Sequence, residues 1–264
     1  MNITKAIITC GGYSTRFLPI TKAIPKEMLP IHNKPIIHYI VEELAEAGIT
    51  DILILCGRGR EVTQNYFDKN FEVDTILAKN GNHIELNPFS HMNIMFKRVP
   101  MPKGSADNIY HAKNWVGNEP FIVAYSDDVF FNGNPTKELI EAYNKFSKPA
   151  LTTTLVPKGE EYKYGIIRLN EREYIDEVVE KPKGDPPSRL AVVGRYLLTR
   201  EFFEFFENDK ELFPPDKEIC TTAQLNKICK AVGLRYVKTT SKRFDTGQPM
   251  GWMDANKYYV KQKI

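Results

Sequence analysis

The stretch that most constrains this chain is residues 5–30, KAIITCGGYSTRFLPITKAIPKEMLP. Ala6-Ile7-Ile8 is a short apolar run, partly β-branched and closed by a turn signal, which is the pattern of a buried strand. Gly11 and Gly12 follow, and without a Cβ their backbone N–H groups can approach a ligand closely. Arg16, Lys22 and Lys26 then add positive charge, so the segment suits a phosphate, although Gly-Gly alone also reads as an ordinary β-to-α turn. Pro19, Pro25 and Pro30 each fix φ, and residues 17–30 are therefore expected to form a shaped loop rather than one helix.

Beyond this loop the pattern alternates. Pro35 opens a helix whose Ile36, Ile37, Ile40, Val41, Leu44 and Ala45 share one face and which stops at Gly48. Ile52–Leu55 reads as a second strand, and the Gly57-x-Gly59 after it as a βα turn, since no third glycine or acidic ribose reader follows. Residues 69–92 are expected to be mostly irregular, with one short helix near 73–78. Asn93–Val99 is a strand, VPMPKGSADNIYHA a second loop delivering Lys103-Gly104 ahead of a helix, and Phe121–Tyr125 a strand that stops at Ser126-Asp127-Asp128. Strands alternating with helices predict an α/β fold with a mixed, mostly parallel sheet, whose ligands bind beyond the carboxyl ends of the strands. Cys10–Gly12, Val99–Gly104 and Ser126–Asp128 should then converge on one edge.

From residue 150 the pattern changes to strands with short connections: Leu151–Val156, Gly165–Leu169, Tyr174–Val179 and Leu190–Leu198, read as added β-hairpins. Helices are expected over 200–207 and 218–231 with Pro214-Pro215 between them, then a run from Val237 to Phe244 into Asp245-Thr246-Gly247, and a last helix over 248–262. The whole, residues 1–264, reads as one domain with a first half to 149 and a second from 150.

Composition narrows the function classes. Lys and Arg total 36 against 33 Asp and Glu, with both signs interspersed, which argues against a dedicated nucleic-acid surface. Cys10, Cys56, Cys220 and Cys229 form no C-x-x-C pair, which fits free thiols in a reducing cytoplasm, and no apolar run is long enough to predict a membrane span or a signal peptide. His32, His38, His83, His91 and His111 show no zinc spacing, and His38, Trp115, Trp252 and the tyrosines of the last helix read as packing or subunit-contact residues. Asp127-Asp128 at a strand end, with Asp245 in a second acidic turn, makes a plausible Mg²⁺ site, because this ion needs only one or two protein carboxylates beside substrate phosphates. An ordinary acidic turn or helix cap is the alternative.

GGYSTRFLPITKAIPKEMLP with Lys34-Pro35 resembles the signature of the sugar-nucleotide pyrophosphorylases, and KAIPKEMLP is most similar to their bacterial branch that acts on UTP and glucose 1-phosphate. The resemblance extends over nearly the whole chain and implies a Rossmann-like three-layer nucleotidyltransferase fold. Its first half would mainly bind nucleotide and its second mainly sugar. It also implies transfer of a uridylyl group from UTP to glucose 1-phosphate, giving UDP-glucose and pyrophosphate. In that likeness Arg16, Lys26 and Asp127 are catalytic, and Gly11, Gly12, Arg16, Lys26, Val99 and Gly104 meet the nucleotide. YGIIR, VVEKPK and AVVGRY supply Tyr164, Gly165, Glu180, Lys181 and Gly194 to the sugar, and Asp127 and Asp245 hold Mg²⁺. A homo-oligomer without a nucleic-acid or membrane partner is the further implication.

Two positions depart from the family pattern. Ser14 stands where a glycine precedes Thr-Arg, and Val99 stands where a glutamine reads the pyrimidine, with proline at 100 and 102. A thymidylyltransferase, another sugar 1-phosphate, or a sugar-nucleotide-binding regulator without turnover are the competing expectations.

Overall fold

The computed structural model of the protein describes residues 2–82, 84–101, 103–172, 174–209 and 218–263. His83, Pro102 and Pro214-Pro215 lie outside the described residues. Strand β1 (Lys5–Cys10) enters a loop of three short 3₁₀ turns, followed by the two-residue strands β2 (Pro30–Ile31) and β3 (Lys34–Pro35) and helix α1 (Ile36–Glu46). Then come β4 (Asp51–Cys56), α2 (Glu61–Phe67), α3 (Phe71–Lys79), β5 (Asn93–Arg98), α4 (Ser105–Tyr110), α5 (Lys113–Val116) and β6 (Phe121–Tyr125). The second half runs β7 (Asp128–Phe131), α6 (Pro135–Phe146), β8 (Ala150–Leu155), β9 (Gly165–Leu169), β10 (Ile175–Glu180) and β11 (Leu190–Leu198). It closes with α7 (Glu201–Asp209), α8 (Thr222–Ala231), β12 (Arg235–Lys238), β13 (Lys242–Asp245) and α9 (Pro249–Lys263).

Among the described residues nine strands form the main sheet, whose continuous path is β10-β9-β11-β6-β1-β4-β5, with β8 and β12 branching from β11. The centre β6-β1-β4-β5 is parallel, and β11 runs antiparallel to β6, β8 and β9. Side chains of a strand alternate between faces, and here the alternation sorts the core into two. Ala6, Ile8, Ile52, Ile54, Ile122 and Ala124 pack with α1, α6 and α9, whereas Ile7, Leu53, Leu55, Phe121 and Val123 pack with α4, α5, α7 and α8. The result is three layers. Each fully buried leucine or isoleucine contributes about 1.5–3 kcal/mol relative to an exposed one.

Three local departures from the sequence pattern have physical causes. Helix α3 begins at Phe71, earlier than the apolar spacing predicts, because the Asn70 side chain accepts a hydrogen bond from Val73 N at 3.1 Å. The stretch 237–244 is two strands, since the Thr239 hydroxyl accepts from Ser241 N at 3.1 Å and bends the chain out of the main sheet. β13 then pairs with β7 in a separate two-stranded sheet, with Asp245 opposite Asp128. Finally, β11 is bulged opposite β8: Val192 faces Thr153 and Tyr196 faces Leu151, which leaves Val193–Arg195 out of register.

The bulge delivers a fully buried arginine. Arg195 donates from Nε and Nη2 to the two Glu43 oxygens, each at 2.9 Å, from Nη2 to the Asp128 carbonyl at 3.0 Å, and from Nη1 to the Gly194 and Tyr125 carbonyls at 2.8 and 3.3 Å. Glu43 also accepts from the Thr136 hydroxyl at 2.6 Å. One side chain thus ties α1 to the end of β6, the start of β7 and the bulge in β11. Arg195→Met is expected to lower the unfolding free energy by about 3–5 kcal/mol by stranding a buried carboxylate, and Arg195→Met with Glu43→Leu should cost less than the two single changes summed. Urea titration checks both, and strictly additive losses would remove the pair from this role.

Candidate active site

The parallel strands end together on one edge, and the loops leaving them build a cleft of about 580 Å³. Gly11, Gly12, Tyr13 and Lys26 of the first loop form one side; Lys103, Gly104, Ser105 and Asn108 at the start of α4 form another, with Ser126, Asp127 and Glu218 between. A second basin of about 350 Å³ is lined by Tyr164, Gly165, Glu180, Lys181 and Gly194 from the second half together with Arg16, Asp127 and Asp245. Asp127, Ser105, Tyr125 and Glu218 belong to both linings, so the two spaces meet there.

Ser14 shows what the first loop demands. Its φ of 56° and ψ of 33° place it in the left-handed region, so the position where the family pattern has glycine does require that conformation, and serine adopts it here. The loop is braced from outside: Arg60, from the turn after β4, donates to the Gly12 carbonyl at 2.8 Å and the Cys10 carbonyl at 3.3 Å and lies 2.7 Å from the wholly buried Glu27 carboxylate. Burial pushes the Glu27 carboxyl above its usual range, and the Arg60 guanidinium only partly opposes this. The second loop is fixed from across the cleft, with Ala106 N bonded to the Ile219 carbonyl at 3.0 Å and Ile219 N to the Lys103 carbonyl at 2.6 Å. Gly104 has φ 119°, and a Cβ there would lie 2.4 Å from the Ile219 carbonyl oxygen, so only glycine fits.

At the junction Lys26 forms an ion pair with Asp127. Burial would lower the ammonium and raise the carboxyl, but for each the partner's charge and hydrogen bond outweigh it, so Lys26 is held above and Asp127 below its ordinary value. Asp128, adjacent in sequence, does something else. Its Oδ2 accepts from Gly194 N at 2.7 Å and its Oδ1 from Arg243 Nε at 2.8 Å, with Arg243 Nη2 ion-paired 2.6 Å away, which occupies both oxygens in holding the bulge and β13. Thr246 braces the same turn by donating its N–H and hydroxyl to the Asp127 carbonyl at 2.7 and 2.8 Å.

Among the described residues no group of three or more His, Cys, Asp or Glu side chains forms a metal cluster. Two carboxylates do come together: a Cβ on Gly247 would lie 2.6 Å from Asp127 Oδ2 and 3.1 Å from Asp245 Oδ1, so the missing side chain leaves room between them. Burial, then the neighbouring Asp128 charge, push the Asp245 carboxyl up, with Asp127 adding to the same effect. A pair of hard oxygen donors that repel one another fits a divalent cation.

Two of the expected nucleotide-binding residues lie apart from the cleft. Val99 is buried in the core and lies outside both linings, because its side chain continues the inward-facing set beyond β5. Arg16 does not share the Lys26 cleft: it is exposed on the sugar-side basin. Glu180 and Lys181 line that basin, with Glu180 accepting from the Thr222 hydroxyl at 2.7 Å, and Lys181 takes φ 45° at the strand exit. Sequence reasoning missed Arg60, Arg195 and Arg243, whose roles depend on contacts distant in sequence, and Asn108, which reads as a helical position and nothing more.

The family model for nucleotidyl transferases matches residues 5–262. The UTP–glucose-1-phosphate uridylyltransferase 2 of Staphylococcus saprophyticus is 38% identical over 268 residues, covering 98% of this chain and 92% of that one. Among solved structures, the UTP-bound UGPase of Acinetobacter baumannii superposes with a TM-score of 0.89 at 29% identity, over 98% of this chain and 93% of that one. A UDP-glucose pyrophosphorylase complexed with UDP-glucose superposes with a TM-score of 0.87 at 34% identity, over 99% of this chain and all of that one. The chain belongs to the nucleotidyl transferase family. The Staphylococcus relative is a UTP–glucose-1-phosphate uridylyltransferase.

The glycines separate two kinds of constraint. A Cβ on Gly194 would lie 2.6 Å from Asp128 Oδ2 and 2.8 Å from Tyr125 Cβ, whereas one on Gly12 meets nothing within 4 Å. Gly194→Ala is therefore expected to cost about 1–3 kcal/mol of stability, and Gly12→Ala to stay within about 0.5 kcal/mol. Urea denaturation of the two variants checks the order, and the reverse order would contradict the packing described.

Proposed function

We propose that this protein transfers the uridylyl group of UTP to glucose 1-phosphate, forming UDP-glucose and pyrophosphate. The observation that carries the reading is Asp127, which lies where a cleft built from the glycine loop meets a basin built from Glu180 and Lys181. The solved relatives bound to UTP and to UDP-glucose support the same assignment. A phosphate oxygen of glucose 1-phosphate attacks the α-phosphorus of UTP, the new P–O bond forms as the bond to the β-phosphate oxygen breaks, and pyrophosphate leaves. No proton needs to be removed. Positioning and charge neutralisation supply the rate.

Within this reading Gly11, Gly12 and Gly104 let the backbone approach the nucleotide, Lys26 holds its phosphates, and Arg16 lies on the sugar side to meet the attacking phosphate or the leaving group. Lys181 faces the sugar phosphate. Glu180 accepts hydrogen bonds from glucose hydroxyls, and Tyr164, Gly165 and Gly194 shape the wall against the ring. Asp127 and Asp245 would hold Mg²⁺, which when bound neutralises charge on the phosphates. Val99 carries no polar group to the base. We further read residues 1–264 as one domain, with nucleotide contacts mainly before residue 150 and sugar contacts after it, acting as a cytoplasmic homo-oligomer. No helix among the described residues is long and apolar enough to cross a membrane.

Pyrophosphate release, measured with glucose 1-phosphate, Mg²⁺ and each of UTP, dTTP, CTP, ATP and GTP, should be fastest with UTP; preference for another nucleotide would rename the donor. Lys26→Ala should lower turnover by roughly 10²-fold or more, the scale of a lost preorganised charge contact, and near wild-type turnover in a folded variant would refute its role. Glu180→Ala should act through the KM and selectivity for the sugar phosphate.

A further inference from the structure

Asn108 is 4% exposed, it lines the cleft with Gly11, Gly12 and Gly104, and its side-chain Oδ1 is buried without a hydrogen-bond partner. An unpaired buried amide is costly, since the group has lost water and gained nothing in return. Helix propensity does not explain it either, because asparagine is a poor interior helix residue. Its neighbours Ala106 and Ile109 in the same helix are fully buried apolar side chains that pack in the core, whereas Asn108, like Ser105, lines the cleft. One helical turn separates it from Gly104, whose carbonyl accepts the Asn108 N–H at 3.0 Å. It therefore lies on the α4 wall of the cleft that Lys26 and Asp127 also line.

We infer that Asn108 reads the Watson–Crick edge of the nucleotide base. Resting on the uridylyl-transfer reading, the inference supplies a side-chain contact to the base that the buried Val99 does not. A carboxamide presents one acceptor and one donor side by side. The acceptor takes the uracil N3–H and the donor meets a flanking carbonyl of the ring. Thymine presents the same edge, so Asn108 does not separate the two. Turned by half a revolution, the amide also complements cytosine, so what it excludes is a base whose edge is blocked or lacks adjacent donor and acceptor.

The test compares UTP with N3-methyl-UTP, in which the donor is replaced by a methyl group, in wild type, Asn108→Leu and Asn108→Ser. Thermal melting verifies that each variant is folded, and the serine variant serves if the leucine variant is not. Wild type is expected to favour UTP by roughly 10- to 100-fold in kcat/KM, the scale of leaving a buried polar group unpaired. Asn108→Leu should bring the two nucleotides to within about 3-fold, with the loss for UTP appearing in KM and kcat nearly retained. A variant that keeps the wild-type ratio overturns the inference, as does a wild type that does not distinguish the two nucleotides. Turnover of UTP by wild type separates the levels: if it is present, failure concerns Asn108 alone, and if it is absent, the uridylyl-transfer reading and this inference fall together.

Discussion

The buried guanidinium of Arg195 is the contact on which the site's geometry depends. Placing a full charge where it is wholly excluded from water is affordable only if every donor finds an acceptor, and five donor–acceptor contacts meet that condition. Three of them are to backbone carbonyls at the end of β6, the start of β7 and the bulge of β11, so the conformations of these three places are mutually dependent. Asp127 inherits its position from this arrangement, lying between Tyr125 and Asp128, whose carbonyls are both held. Asp128 works from the other side, where its carboxylate fastens the bulge and β13. The two adjacent aspartates therefore divide the labour: one faces the cleft and the other fixes the frame.

The glycine loops follow the same logic at lower cost. Neither loop makes regular secondary structure long enough to stabilise itself, and each is held by a partner that arrives much later or earlier in the chain. Arg60 and Glu27 clasp the first loop, while Ile219 completes the second. Ser14 shows how much strain such bracing tolerates, since a non-glycine residue in the left-handed region persists only where the surroundings determine it.

Much of this was legible in the sequence because the signals were local. Short apolar runs located the strands, proline and glycine located the turns, and the ends of parallel strands located the cleft. The burial of Val99 was not legible, because strand periodicity, which governs side-chain direction, turns it inward, whereas a motif aligned by order alone sets it beside the base. Nor was the placement of Arg16: Pro19 and Pro25 implied a shaped loop, but not which of two adjoining spaces each cation would enter. Arg243, Arg195 and Arg60 could not be separated from surface arginines, because the carboxylates and carbonyls that hold them lie far away in sequence. Asn108 left no pattern at all. Its significance lies in what it fails to touch within the protein.

The ion pair between Lys26 and Asp127 has a consequence for how ligands enter. These two groups satisfy one another, yet in the proposed reaction each is claimed by a different visitor, Lys26 by the nucleotide phosphates and Asp127 by a cation. Whichever arrives first releases the holder of the second. Binding of nucleotide and cation is then reciprocal, each raising the affinity of the other by the same factor. In that proposed reaction the lysine would stand in for the metal, holding the carboxylate charged and in place until a counter-ion arrived with the substrate.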